Sequence, residues 1–545
     1  MTLRKGTESM SLVPGHENSP RSLGRTESGL WLTKIVLCCV AFVGTFTLLL
    51  DSLAFSTTQD LDRSPSRDLP RSLSLPEAVM QTLQANLDIT VSRQFKEARL
   101  SDIAFEQAKF DPSLNLTGRY DRDARALNRP LFGVTSATLT APRLFEENQE
   151  ILGLGLTKKL MTGTNLDLKY AGDHTFVGTA NSFVFNPVYT SELRLNVTQP
   201  LLRDFGIDVN KTLIHIAQKN AIVESHVFFD KVLTVIATVE QTYWELVFAN
   251  ENLKVVEDLL RAAKELVISN RARAQAGQIA DVEVLQAEAG VASRTEQILQ
   301  AQKAIKDQGD QLLNLLNPGE DVLSKDIRLV PTDRPVQFLE PISFERAKDT
   351  ALERRPEVLQ AQKNVEIGDL NSNFSKNQLL PNLSVQAILG ASGIGEGFSD
   401  MASRITSGDY YNYGAGLVLS YPLGNQAATS VYNRRQLEMH AAEATLQSVR
   451  NRVIVGVKEA VRRVQTDFQR IETTQSARIL AEKQLQAEQE RYKAGLSTTI
   501  LLLIFQRELA VARAGELRAV VDYNKSLSNL ARQLATTLDK YNLAI

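Results

Sequence analysis

Cysteine is almost absent from this sequence. Cys38 and Cys39 are the only two among 545 residues, and both lie inside the one continuous apolar run, Ile35 to Leu50. If this run is removed on export, the mature chain has no thiol for a disulfide, a metal site or a nucleophile. Acylation of Cys38 is disfavoured, because Leu37 is not the small residue that normally precedes a lipoprotein cysteine.

The apolar run has the features of a secretory signal. Lys34 precedes it, and Ser52-Leu53-Ala54 follows it as a small-residue cleavage site. We therefore predict a signal peptide over residues 1–54 and a flexible leader over residues 55–72, which are rich in Ser, Arg, Asp and Pro. The alternative is an uncleaved membrane anchor, although the run is short for a membrane span.

Strong charge of either sign is also missing. The net charge is −2, with acidic and basic residues mixed throughout. A nucleic-acid-binding protein needs a basic face, so we expect no nucleic acid as a partner.

The five histidines show no spacing typical of metal ligands. The glycines Gly390, Gly393, Gly395 and Gly397 lack the Lys-Ser/Thr of a phosphate loop and indicate a flexible loop instead. The sequence predicts neither an enzyme nor a metal or cofactor site.

Glycine and proline are missing from two very long stretches. Residues 207–276 contain neither, and residues 425–494 contain only Gly456. Apolar residues recur there at spacings of three and four, as in Val232, Ile236 and Val239. This pattern predicts long helices, about 100 Å each at 1.5 Å per residue, that pack as antiparallel coiled coils.

Other segments alternate apolar and polar residues with a period of two, which predicts strands about ten residues long. Four lie in the first half of the chain and two in the second; their apolar faces begin at Leu114, Leu152, Leu166, Leu193, Leu383 and Tyr413. A tight turn at 161–164 contrasts with long polar segments at 121–150, 173–189 and 392–411. Short turns at one end and long loops at the other are typical of an outer-membrane barrel, although a soluble sandwich would alternate too.

These elements are duplicated. The pattern from Ser74 to Leu114 recurs 269 positions later, so that Pro112 corresponds to Pro381, each at the end of a helix. The strand-ending prolines, which cannot donate to a ladder, correspond as Pro200 and Pro422. The duplication divides the chain into a first repeat over 73–330, with four strands and a helical hairpin, a linker over 331–341, and a second repeat over 342–545, with two strands and a helical hairpin.

The two helical hairpins turn back at matching tripeptides, Ala276-Gly277-Gln278 and Ala494-Gly495-Leu496. Glycine is the residue expected where a helix must enter a left-handed turn. Each tip is therefore predicted at the far end of a coiled coil from the strands.

The ordered duplication of these prolines and Ala-Gly tips resembles the TolC family of outer membrane efflux proteins over roughly residues 73–540. The resemblance implies a membrane β-barrel joined to a long α-helical coiled-coil barrel in a trimeric tube. It also implies an outer-membrane location with a long periplasmic extension, contact with outer-membrane lipid, and loading by an inner-membrane transporter through a periplasmic adaptor. Adaptors of such systems meet the hairpin tips, here around Gly277 and Gly495.

The sequence departs from the family pattern in the strands and at the gate. Family members commonly have four strands per protomer, whereas six are predicted here, and residues 151–160 and 165–173 would form the extra hairpin. This hairpin either widens a trimeric barrel to about eighteen strands or packs against the tube without joining the barrel. Positions that are acidic at the closed mouth of relatives are here Leu501 and Ile504, which would close a pore by packing and dewetting, or would be ordinary coiled-coil core. Glu283 matches an acidic position in the first repeat and is either pore-lining or on a solvated helix face.

The functional expectation is a passive exit duct of a tripartite efflux system. A structural or adhesive surface coiled coil with a soluble β head is the alternative, and type I protein secretion is a third possibility within the channel class. Because a passive tube has few residues that select a substrate, the transported substrate cannot be identified from the sequence.

Overall fold

The computed structural model describes residues 71–127, 143–178, 184–325, 327–338 and 341–543. The predicted signal peptide, and the leader up to residue 70, lie outside the described residues. None of the described helices is both long and apolar enough to cross a membrane.

The described residues contain eight strands in two sheets. The strands are β1 (Arg71–Leu73), β2 (Ser113–Leu127), β3 (Arg143–Lys159), β4 (Asn165–Val177), β5 (Val188–Pro200), β6 (Leu329–Pro331), β7 (Asn382–Gly395) and β8 (Tyr411–Ser420). Strands β1 and β6 form a small parallel pair. The other six form one antiparallel sheet in the order β2-β3-β4-β5-β7-β8, so β2 and β8 are its edges. The β3–β4 hairpin lies inside this sheet and is paired on both sides, to β2 and to β5.

The described residues also contain ten α-helices. They are α1 (Leu75–Ala85), α2 (Leu87–Gln107), α3 (Ile207–Gln275), α4 (Asp281–Leu316), α5 (Glu320–Leu323), α6 (Phe344–Arg354), α7 (Pro356–Asn377), α8 (Phe398–Ser407), α9 (Gln426–Lys493) and α10 (Thr499–Gln533). The helices α3 and α9 have 69 and 68 residues and coincide with the stretches that lack proline. Each packs against its own return helix, α3 on α4 and α9 on α10.

The segment from Ser74 to Pro112, where the duplicated pattern places a helix, contains two α-helices rather than one. Asn86 interrupts it in an extended conformation, and its side chain accepts from the backbone N–H of Ile89 to cap α2. Its amide also donates to the carbonyl of Leu315 on α4 at 2.8 Å. In the second repeat Arg355 lies at the corresponding position, also in an extended conformation, between α6 and α7. Asparagine favours such caps because its side chain competes with the helix for backbone hydrogen bonds.

The strands extend well into the segments expected to be loops. β2 continues to Leu127 and β3 begins at Arg143, because the polar residues of this region pair across the two strands in continuous register. The glycine-rich segment is not a flexible loop either: Gly390, Gly393 and Gly395 lie in β7. Helix α8 packs closely on Gly393 and Gly395, and a Cβ at Gly393 would stand 2.3 Å from the Met401 carbonyl oxygen.

The main apolar core gathers around the middle of α3, against α1, α4 and β6. Tyr243 is fully buried there, with its hydroxyl 2.5 Å from the Asp333 carboxylate and accepting from the backbone N–H groups of Thr332 and Asp333 at 3.2 Å. Burial, with the neighbouring Asp333, raises the pKa of this phenol. Asp333 also accepts from the N–H of Leu75 at 2.7 Å. The segment after β6 is thereby fixed to both α1 and α3.

A second core joins the helices of the second repeat, with Val457, Val464 and Tyr523 among its buried residues. The two repeats meet along α3, which packs against α7 and α10. Glu245 of α3 binds Arg518 of α10 at 2.8 Å and also pairs with Lys525. Burial opposes ionisation of Glu245, but the hydrogen bonds from Lys525 and Arg518 outweigh it and hold the pKa below its ordinary value.

Candidate functional site at the hairpin tips

The turn after α3 is closed by Gly277, whose φ is +71°. The N–H of Gly277 donates to the Ala274 carbonyl and that of Gln278 to the Arg273 carbonyl, both at 2.9 Å. These two bonds form the Schellman motif, which requires a left-handed residue and so favours glycine. Nothing lies within 4 Å of a Cβ built on Gly277. The requirement for glycine is therefore conformational rather than steric.

The turn after α9 repeats this geometry. Gly495 has a φ of +74°, its N–H donates to the Tyr492 carbonyl at 3.1 Å, and the N–H of Leu496 donates to the Arg491 carbonyl at 2.9 Å. A Cβ on Gly495 would also meet open space. The sequence correspondence between the two tips thus extends to their backbone hydrogen bonds.

The two hairpins are joined near their tips by a cluster of polar residues, which we call the tip cluster: Asn270, Glu283, Tyr492 and Thr499. The Tyr492 hydroxyl donates to Oδ1 of Asn270 at 2.5 Å, and Nδ2 of Asn270 donates to Oγ1 of Thr499 at 2.8 Å. Oγ1 of Thr499 lies 3.1 Å from the Tyr492 hydroxyl. Asn270 and Thr499 are fully buried and Tyr492 is 7% exposed, so loss of one partner would leave another group unpaired.

Glu283 caps a helix of the opposite hairpin. Its carboxylate accepts from the backbone N–H of Thr499, the first residue of α10, at 2.9 Å. An anionic group is favourable at a helix N-terminus, where free N–H groups concentrate positive potential. The Glu283 carbonyl also accepts from Nδ2 of Asn270 at 3.2 Å. In this structure the Glu283 side chain therefore bridges α4 and α10 through a hydrogen bond and does not lie on a solvated helix face.

A second tether between α4 and α10 is Arg294. Its side chain is 6% exposed and donates to the carbonyls of Gly290 and Leu503, at 3.2 and 3.3 Å. Burial, together with the nearby Arg507, lowers the pKa of Arg294. The guanidinium thus holds the main chain of α10 between the two candidate gate residues.

The candidate gate residues Leu501 and Ile504 lie in the first two turns of α10. Leu501 is 41% exposed and Ile504 is half-buried, whereas Leu502 between them is 5% exposed. The buried residues of this helix recur as Thr499, Leu502, Gln506 and Leu509, which is the coiled-coil spacing. Leu501 is therefore on the edge of the seam rather than in it, and within the protomer it is free to contact another chain or a pore.

A groove of about 710 Å³ opens between α3 and α4 just behind the first tip. Ala274, Val282 and Leu285 supply an apolar wall, and the Arg271–Glu288 ion pair, 2.6 Å long, closes one side. Val282 and Leu285 are 53% and 65% exposed. At the second tip Leu496 is 72% exposed. Both tips therefore present apolar side chains to their surroundings.

The sequence profile of the family described as outer membrane efflux protein matches residues 162–318 and 348–536. The chain belongs to this outer membrane efflux protein family. The assignment places the protein in the outer membrane, and the family's members are homotrimeric channels that work with adaptor proteins and inner-membrane pumps.

Among its relatives is the pyoverdine export outer membrane protein OpmQ of Pseudomonas putida, 26% identical over 298 residues. This match covers 52% of the present chain and 58% of OpmQ, so the chain spans somewhat more than half of that relative. The fold is similar to the CmeC outer membrane channel of Campylobacter jejuni, with a TM-score of 0.63, 16% identity, and 85% and 86% of the two chains covered. It is also similar to VceC of Vibrio cholerae, with a TM-score of 0.61, 16% identity, and 85% and 96% covered. These likenesses show the fold, a TolC-type channel-tunnel.

The four prolines mark where helices and strands of this efflux family member meet. Pro112 and Pro381 directly precede β2 and β7, and Pro422 follows β8 by one intervening residue. Pro200 is the last residue of β5 and pairs with Ser384 of β7. A proline at a strand end is tolerated because no ladder hydrogen bond has to come from its nitrogen.

Sequence reasoning missed the tip cluster, although a signal was present. Asn270 continues the apolar seam of Leu259, Ala263 and Leu266 at spacings of four, three and four. A polar residue at such a position is a known way to fix the register of a coiled coil. Its side-chain partners Tyr492 on α9 and Thr499 on α10 are more than 200 positions away and could be identified only in the folded chain.

Proposed function

We propose that this protein is the outer-membrane exit duct of a tripartite efflux system. Three copies would close their sheets into one barrel in the membrane, while their long helices form the periplasmic tunnel. The observation that supports this most directly is the pair of nearly equal helices, α3 and α9, which start at one sheet and end at tips joined by the tip cluster. A passive duct needs this continuous scaffold and no catalytic group.

The open sheet edges support closure with other copies. Among the described residues β2 and β8 each pair on one side only, and unpaired strand edges are unfavourable in a membrane, where backbone groups have no water to bind. Pairing β8 of one copy with β2 of the next would give about eighteen strands. Exposed apolar side chains on these two strands, such as Leu116 and Leu417, would then face lipid.

Leu501 and Ile504 are proposed as the periplasmic gate. In a trimer, three copies of each would form two apolar rings at the narrow end, where a dewetted constriction stops ions without charge. Arg294 and Glu283 would hold α10 in the closed position through Leu503 and Thr499. Opening would then require breaking the tip cluster and moving the second hairpin away from the first.

The adaptor is proposed to contact the tips around Ala276, Gly277, Gln278, Ala494, Gly495 and Leu496. The groove behind the first tip has the apolar wall and charged rim that a partner helix would fill. A small-molecule cargo is favoured over a secreted protein, because the relative OpmQ is by name a pyoverdine exporter.

The test is purification from outer membranes followed by electron cryomicroscopy and planar-bilayer conductance. The expected result is a trimer with about eighteen strands and a small resting conductance. A soluble protein with a β head would reject the duct and favour the adhesive alternative. A barrel of about twelve strands would reject the wide sheet but leave the duct standing.

A further inference from the structure

The extra hairpin, β3–β4, separates β2 from β5, although the helices connected to these two strands pack against each other. Helix α2 runs into β2 and α3 leaves from β5, and these two helices pack directly against each other. Strands β3 and β4 nevertheless lie between β2 and β5. Three strand spacings are about 14 Å, whereas packed helix axes are about 8–10 Å apart. The β3–β4 turn therefore overhangs the junction of α2 and α3.

A cleft of about 610 Å³ lies beneath this overhang. Lys158 and Lys159 at the end of β3 line one side, and Lys211 and His215 of α3 line the other. Asp111 is the one carboxylate among the lining residues. The cleft therefore exists because the additional strands are present, and its lining side chains carry a net positive charge.

The three lysines have no ionic partner in the described part of the chain, where most neighbouring cations do. Lys109, close by, pairs with Glu106 at 2.6 Å, and Lys169 pairs with Asp167 at 2.8 Å. The imidazole of His215 is already bonded to the Gln218 side chain at 3.2 Å. The unpaired charge in the cleft is thus carried by the lysines.

An apolar wall stands beside these charges. Phe110, Leu160 and Met161 line the cleft with the lysines, and Met161 is 46% exposed. All three lie where the sheet ends at the helices, next to Pro112. With the sheet in the membrane, this is the level at which lipid headgroups meet the periplasm.

We propose that the cleft binds the phosphate headgroup of an anionic phospholipid, with the acyl chains along the apolar wall. The proposal rests on the placement of the sheet in the membrane given under the proposed function. Lysines are point charges that bind phosphate from several directions, and basic pockets at a membrane boundary recognise anionic headgroups. A bound lipid would fill the space that the extra hairpin leaves above α2 and α3.

The experiment uses the full-length trimer in nanodiscs of phosphatidylcholine with increasing phosphatidylglycerol. Native mass spectrometry after release counts the phosphatidylglycerol molecules that stay bound. The variant K158Q/K159Q/K211Q should lose roughly 100-fold in apparent affinity, since each lysine near an anionic lipid contributes about fivefold. The variant K158R/K159R/K211R should retain binding. As a matched control, K264Q/K458Q/K483Q removes three exposed lysines from α3 and α9 and should bind as the wild type does.

Equal lipid retention by the wild type and K158Q/K159Q/K211Q would overturn the proposal. Lysine-dependent stabilisation by inorganic phosphate, without retention of phosphatidylglycerol, would also overturn it and identify a free-anion site. Membrane fractionation and conductance of the same proteins distinguish failure of the proposed duct function from failure of the lipid site. A protein absent from the outer membrane contradicts the proposed function, whereas a conducting channel with lysine-independent lipid binding contradicts only the lipid site.

Discussion

The hydroxyl of Tyr492 lies 2.5 Å from Oδ1 of Asn270, at the point where the two helical hairpins end. Tyr492 belongs to α9 and Asn270 to α3, so this bond joins the helix that follows β8 to the helix that follows β5. The guanidinium of Arg273 also lies 5.1 Å from the Tyr492 ring centroid and stacks on it. The aromatic ring is therefore held by a hydrogen bond at its tip and a cation at its face.

Tyr492→Phe should loosen the contact between the hairpins. The change leaves Oδ1 of Asn270 without its donor in a buried site, which costs about 1–3 kcal/mol. We expect faster hydrogen exchange around residues 270 and 499 and a higher resting conductance of the reconstituted trimer. Tyr432→Phe is the control, because Tyr432 lies near the start of α9 and bonds only Gln436 of its own helix among the described residues. Equal exchange in both variants would show that the cluster does not hold the tips.

Replacing the tip glycines by alanine should strain the turns without a steric clash. Gly277→Ala and Gly495→Ala each place a side chain on a left-handed backbone in open space, at a cost of about 1–2 kcal/mol. Gly515→Ala is the matched control, because its Cβ also meets no atom within 4 Å but the residue lies inside α10, where alanine favours the helix. Thermal unfolding should show lower midpoints for the two tip variants and an equal or higher midpoint for the control.

Leu501→Ser tests the apolar gate. Leu501 is 41% exposed, so the fold should tolerate serine, while a polar ring would admit water and raise the closed-state conductance. Leu496→Ser, at a residue that is 72% exposed on the tip itself, should leave the conductance unchanged. If the closed-state leak of the Leu501 variant equals that of the wild type, the hydrophobic gate is wrong.

The contact between the repeats at Glu245 should weaken in acid. Hydrogen bonds from Lys525 and Arg518 outweigh burial and hold the pKa of Glu245 below its ordinary value of 4.5. A group with a depressed folded pKa contributes stability above its unfolded pKa, and this contribution is lost as the pH falls through the folded value. Glu245→Gln should therefore lower the unfolding midpoint at pH 7 and reduce its fall below about pH 4.5.

Glu251→Gln is the control for this pH dependence. Glu251 pairs with Lys254 on the same exposed helix face, with side chains 43% and 66% exposed, and such pairs contribute little. An acid profile of Glu245→Gln that parallels the wild type would assign the pH dependence to other groups.

The sequence was most informative where local rules act alone. The absence of proline and the near-absence of glycine predicted α3 and α9 nearly to the residue, and the tip glycines were predicted because a left-handed turn has few alternatives. The strand lengths were underestimated, since the polar residues of β2 beyond Asp121 gain their strand conformation only by pairing with β3. The role of Glu283 was missed for the same reason, because the helix it caps starts 216 positions later.

The near-equal lengths of α3 and α9 restrict how the chain can change during evolution. One residue inserted into α3 alone would move Asn270 by about 1.5 Å along the helix and turn it by about 100°, away from Tyr492. The sheet fixes the other end of both helices, so the displacement could not be absorbed there. Relatives with longer or shorter tunnels should therefore differ by matched insertions in both repeats, in multiples of seven residues that preserve the coiled-coil seam.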